Sequence, residues 1–184
     1  MKKMNNKGFS LVEIIVTLAI MGLAVAGAVS LYGSLSRAKV NSATDHIDSM
    51  MSLTRSNSLT KKGYWMFEIR EVSDKYVATI YLDEDGSSGW GEYKEVEIGD
   101  VGAIDITFTK FKDDGSGNIV NAGTIDLEAP QYMRISYDSS SGACLTNYYH
   151  VDGSNYYVGD ITITDGKLTK VITVTRTTGK HYID

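Results

Sequence analysis

The sequence predicts an α+β protein, with a long N-terminal helix leading into an antiparallel, β-rich globular head. Three observations carry this. No residue from Ile14 to Ser36 is charged, a run of 23. Apolar residues then recur at helical spacing as far as Met51. From Tyr64 onward the period changes to two, and clusters of Gly, Asp and Ser punctuate short strands.

The helix begins in a polarised setting. Lys2, Lys3 and Lys7 stand in the first eight residues without an acid. The formal net charge is −5, so the rest of the chain holds 15 cations against 23 acids, or −8. A basic end before an apolar run places the N-terminus on the cytoplasmic side of a membrane and the rest of the chain outside. At ~1.5 Å per residue the uncharged run is roughly 34 Å long, enough to cross a bilayer core. A cleaved secretory signal has a shorter apolar stretch, of ~7–15 residues. A plain signal anchor has no use for Glu13, the acid that opens the run. A carboxylate at the membrane edge normally has a partner.

Helical spacing continues through Val40, Ala43, Ile47, Met50 and Met51, with Arg37, Lys39, Asp45, His46 and Asp48 on the other side. Lys61-Lys62-Gly63 is a stop signal, cations followed by a Gly cap. The helix is therefore expected over 9–62, with fraying near Asn57-Ser58. Residues 9–36 form its membrane part and 63–184 the head.

Trp65, Phe67 and Ile69 alternate with Met66, Glu68 and Arg70, and Tyr76, Ala78, Ile80 and Leu82 alternate with Val77, Thr79 and Tyr81. Ser73-Asp74 suits a tight hairpin between them. Further strands are expected near 93–98, 103–110, 119–127, 132–137, 148–151, 156–163 and 168–175.

The composition excludes several classes of function. One Cys rules out a cysteine zinc cage and an internal disulfide. Cys144 and His150 have nothing in the sequence to orient them as nucleophile and base, and a buried structural thiol is the better reading. No phosphate loop is present, so the chain does not read as an enzyme and implies no cofactor. Asp83 and Asp85 could form half a calcium loop. Lys94 stands where the twelfth-position acid belongs, so an acidic solvated hairpin is preferred. Tyr148, Tyr149, Tyr156 and Tyr157 read as strand packing before a sugar-binding surface.

Lys7-Gly8-Phe9-Ser10-Leu11-Val12-Glu13 resembles the class III leader junction of type IV pilins and type II secretion pseudopilins. The resemblance implies a leader of residues 1–8, cut by a prepilin peptidase between Gly8 and Phe9. It implies methylation of the Phe9 amine and assembly of the helix into the core of a pilus or pseudopilus. Glu13 would then pair with the Phe9 amine of a neighbouring subunit, or lie in the headgroup layer near Lys7. Implied partners are other pilin subunits, the peptidase, the inner-membrane assembly platform and the cell membrane. The expected location is a single-pass cytoplasmic membrane protein, N-terminus inside, passing into an extracellular or periplasmic filament. Many pilins carry a Pro where Ser30 stands; Gly22 matches the family's helix Gly.

The head resembles H-type pseudopilins and FimT-like minor pilins. The carriers are Leu53-Thr54-Arg55-Ser56-Asn57-Ser58, Thr79 to Gly86, Ile106-Thr107-Phe108 with Gly123-Thr124-Ile125, and Val174 to Lys180. That resemblance implies a minor structural subunit and raises DNA as an alternative partner, through Lys167, Lys170, Arg176, Lys180 and His181. The acidic body and the opposite parity of Lys167 and Lys170 weigh against DNA.

Overall fold

The computed structural model describes residues 10–87, 89–145 and 156–184, without the side chains of 27–36. The strand expected near 148–151, with Tyr148, Tyr149 and His150, lies outside the described residues, as do Gly8 and Phe9. The chain divides into two units, Met1–Ser36 and Arg37–Asp184. Helix α1, Leu11–Thr60, contributes to both.

Among the described residues of the second unit, nine strands form two antiparallel sheets, and with the helix they make an α+β protein. One sheet has the order β3-β2-β1-β6, built from Gly91–Asp100, Lys75–Asp83, Tyr64–Val72 and Tyr132–Ser136. The other runs β5-β4-β7-β8-β9, from Ile119–Asp126, Asp105–Asp113, Tyr157–Thr164, Thr169–Val174 and His181–Ile183.

The helical stripe does what its spacing predicts: Val40, Ala43, Ile47, Met50 and Met51 are buried. They join Trp65, Phe67, Ile69, Ile80, Met133 and Ile135 of the first sheet and Phe108, Ile163 and Ile172 of the second in one core. Each large apolar side chain buried this way is worth about 1.5–3 kcal/mol.

The expected fraying near Asn57-Ser58 is not found. Both are buried and helical. The Ser58 hydroxyl donates to the Thr54 carbonyl at 3.1 Å, and the Thr54 hydroxyl to that of Met50 at 2.7 Å. Bonding back to the preceding turn makes hydroxyls cheap to bury.

At the stop, Gly63 has φ +96°. A Cβ there would lie 2.7 Å from Leu82 Cδ1 and 2.9 Å from the Asp83 carbonyl. Ser73 and Asp74 form the two-residue hairpin with φ of 53° and 62°, and Val72 pairs with Lys75.

The alternation in β1 does not expose its second face. Met66 and Glu68 are buried there with Thr79 of β2. Glu68 is paired with Arg134 and, at 3.4 Å, with Arg70. The arginine stems cover the sheet while their heads neutralise the acid.

Candidate functional site: the apolar helix and its single acid

Ser10 precedes the helix, and its carbonyl accepts the amides of Glu13 at 3.0 Å and Ile14 at 3.2 Å. It is the N-cap, and Ser10-Leu11-Val12-Glu13 has the spacing of a capping box. Glu13 therefore sits in the first turn, where the helix dipole favours a negative charge. Around and beyond it, Leu11, Val12, Ile14, Ile15, Val16, Leu18, Ile20, Met21, Leu23 and Val25 are all about half exposed or more. These positions cover every side of the helix. A helix that is apolar all round belongs in a membrane or in a core supplied by other chains. Among the described residues no helix is long and apolar enough to cross a membrane. The side chains of 27–36, which complete the uncharged run, are outside that set.

Residues 3–29 match the model of the prokaryotic N-terminal methylation motif. The motif is the one carried by type IV pilins and pseudopilins, and it supports that superfamily for this chain. The class III leader implies processing by prepilin peptidase and assembly with other pilins, and proteins built on it are structural subunits rather than enzymes. No curated protein and no solved structure matches the chain. The match ends at residue 29, within α1.

In the head, the remaining candidate residues hold structure together. Asp83 accepts the Gly86 amide at 2.9 Å and Asp85 that of Ser87 at 2.9 Å. Both carboxylates thus hold their own turn. No group of three metal-ligating side chains occurs among the described residues.

Cys144 is buried, its thiol pushed up to about 11 by desolvation, against the pull of Arg55 and Arg176. Its amide donates to the Arg176 carbonyl at 2.8 Å. Tyr137 beside it is also buried, which pushes its phenol well above its ordinary value. This is the environment of a structural thiol.

Among the C-terminal cations, Lys167 lies in the turn before β8, Lys170 on β8, and Arg176 and Lys180 in the turn after it. Arg176 stacks over Tyr157 at 4.9 Å. His181 turns inward, its Nε2 3.1 Å from Asp48 Oδ1 and 3.2 Å from Ser52 Oγ.

The Asp48–Ser52–His181 cluster has no signature in the sequence, where Asp48 falls on the polar helix face and His181 among the basic residues. Acid, hydroxyl and imidazole invite comparison with a catalytic triad, but acid and hydroxyl both meet the same ring nitrogen. Relay chemistry needs one on each nitrogen. Here the histidine ties β9 to the helix.

Proposed function

We propose that this chain is a structural subunit of a type IV pilus or type II secretion pseudopilus, and a minor one by its likeness to H-type pseudopilins. The prepilin inserts through residues 9–36 with its N-terminus in the cytoplasm. Prepilin peptidase cuts between Gly8 and Phe9 and methylates Phe9. The subunit then leaves the membrane for a filament, head outward. The observation that supports this most is the methylation motif over residues 3–29, on a helix that is apolar on every side and carries one acid. Keeping ten such side chains out of water is worth about 15–30 kcal/mol, which holds the helix in lipid or in a filament core alike and so neither drives the transfer between them nor specifies register. Glu13 specifies it, by meeting the methylated amine of a neighbour in an environment where neither charge can stay alone.

Mass spectrometry of membrane-extracted protein tests the reading. The expected terminus is N-methyl-Phe9; an intact Met1 in cells with active prepilin peptidase would refute it. Glu13→Val separates assembly from insertion. The variant should stay in the membrane, because its helix is more apolar, while its share in sheared filaments drops about tenfold or more, as for a buried pair broken on one side. Undiminished incorporation would remove Glu13 from the mechanism.

A further inference from the structure

Helix α1 begins at Leu11, and Ser10 is the one residue between it and Phe9. The Ser10 carbonyl takes the first rungs of the helical ladder, from the amides of Glu13 and Ile14. Upstream of Ser10, Phe9 is not among the residue types that cap well, but Gly8 is. The residues thus offer two places for the helix to start. With the cap at Ser10, Glu13 is the third helical residue, within the first turn, where the helix dipole stabilises its charge. With the cap at Gly8, Glu13 would fall outside that turn. Ser10 and Glu13 therefore favour the same start, at Leu11.

The choice of start decides what happens to one carbonyl. In an α-helix each carbonyl accepts the amide four residues on, and the cap's carbonyl is the first so engaged. With Ser10 as the cap, that carbonyl is its own and the partner is the Ile14 amide, at 3.2 Å. With Gly8 as the cap, it would be the Gly8 carbonyl, bonded to the Val12 amide. The bond proposed above for cleavage joins this same carbonyl to the Phe9 nitrogen. Its hydrolysis needs the oxygen free to meet the enzyme's donors as negative charge develops on it. A carbonyl spent on Val12 has its oxygen turned along the helix axis, away from such donors.

We infer that Ser10 is a positioning residue for prepilin processing: as the N-cap, it keeps the helix from growing back over the Gly8–Phe9 bond. The inference rests on the reading that prepilin peptidase cuts this bond, and adds a residue to that reading. Ser10 acts through the backbone and touches none of the reacting atoms. Capping strength at this position, and not the hydroxyl as such, sets how much of the prepilin is open to the peptidase.

The test is a pulse-chase of the full chain in cells with active prepilin peptidase, reading the half-time of leader loss in the membrane fraction. Ser10→Asn caps as well as the native residue, Ser10→Gly nearly as well, and Ser10→Ala poorly. The first two variants should be processed at close to the rate of the unsubstituted chain. Ser10→Ala should be processed about two- to fivefold more slowly, the upper figure being the usual loss of a cap expressed as a ratio. The Ser10→Gly and Ser10→Ala chains both lack the hydroxyl and differ by one methyl. Equal slowing of the two would mean that the peptidase reads the hydroxyl, and would overturn the inference. So would a Ser10→Ala chain cut at the unsubstituted rate. The carbonyl itself can be followed, because Gly8-Phe9 is the one Gly-Phe pair in the chain. With carbonyl-labelled glycine and nitrogen-labelled phenylalanine, its NMR resonance in micelles should move in the helical direction in Ser10→Ala and stay in place in Ser10→Gly. The same resonance in all variants would count against the inference. An unsubstituted chain that keeps Met1 would overturn the cleavage reading and this inference with it, whereas cleavage that ignores capping strength overturns this inference alone.

Discussion

Asp138 shows how much a single exposed carboxylate can organise. Its Oδ1 accepts the hydroxyls of Ser140 at 2.6 Å and Ser141 at 2.8 Å, and the amides of both residues. These bonds hold the carboxyl down at about 2. Its folded-state value lies below the unfolded one, so its stabilisation is present above about pH 4 and fades as pH falls toward 2. Melting the head of the protein and of Asp138→Ala from pH 7 downward should show a Tm gap that is widest near neutrality and closes by about pH 2. A constant gap would mean that the loss is one of packing. The loop matters because of what rests on it. Gly179, with φ +63°, lies so close to the Gly142 carbonyl that a Cβ has no room, and that Cβ would also sit 2.8 Å from Tyr137 Cδ1. Arg55 presses on the same loop from the helix. None of these approaches has a signature in the sequence, where Gly142 and Gly179 look like ordinary turn residues. Long-range backbone contact leaves no local period to read.

At the scale of elements, what is legible is what has a period. The core stripe of the helix and the inward faces of β1 and β2 follow from spacing alone, and so does the Ser73-Asp74 turn. Most strand ends lie within a few residues of where alternation stops, because pairing extends into polar positions that alternation does not mark: β4 runs on through Lys112 to Asp113, paired with Ile119. β9 is not legible, since three residues are too short to show alternation and its place depends on pairing with Ile172–Val174. The buried second face of β1 is hidden from the sequence because Glu68 looks solvated until Arg70 and Arg134 are seen across it. The turn allows a direct test. Both central residues have positive φ without being Gly, which a two-residue hairpin of this kind favours as Asn-Gly. Replacing Ser73-Asp74 by Asn-Gly should raise stability by about 0.5–1 kcal/mol, seen as a shift in urea midpoint at unchanged slope. A lower midpoint would mean that the Asp74 side chain supports the turn in a way its backbone angles do not show.

For the whole molecule, the division at Ser36 separates two kinds of stability. Residues 11–26 expose apolar side chains on every side, so that unit can reach low free energy only among lipids or other helices. The unit from Arg37 onward buries its own stripe against two sheets and closes one core. It needs no partner to satisfy its apolar surface. A chain truncated to 36–184 is therefore expected to be a soluble, folded monomer. Its circular dichroism should show helix and strand together, with one cooperative melt, because the helix and both sheets share the core and cannot unfold separately. Ile47→Ala in that chain should cost about 2–5 kcal/mol and lower the whole transition, not the helical signal alone. A head that aggregates under all mild conditions, or whose sheets melt before its helix, would show that the apolar helix is part of its fold as well as its means of assembly.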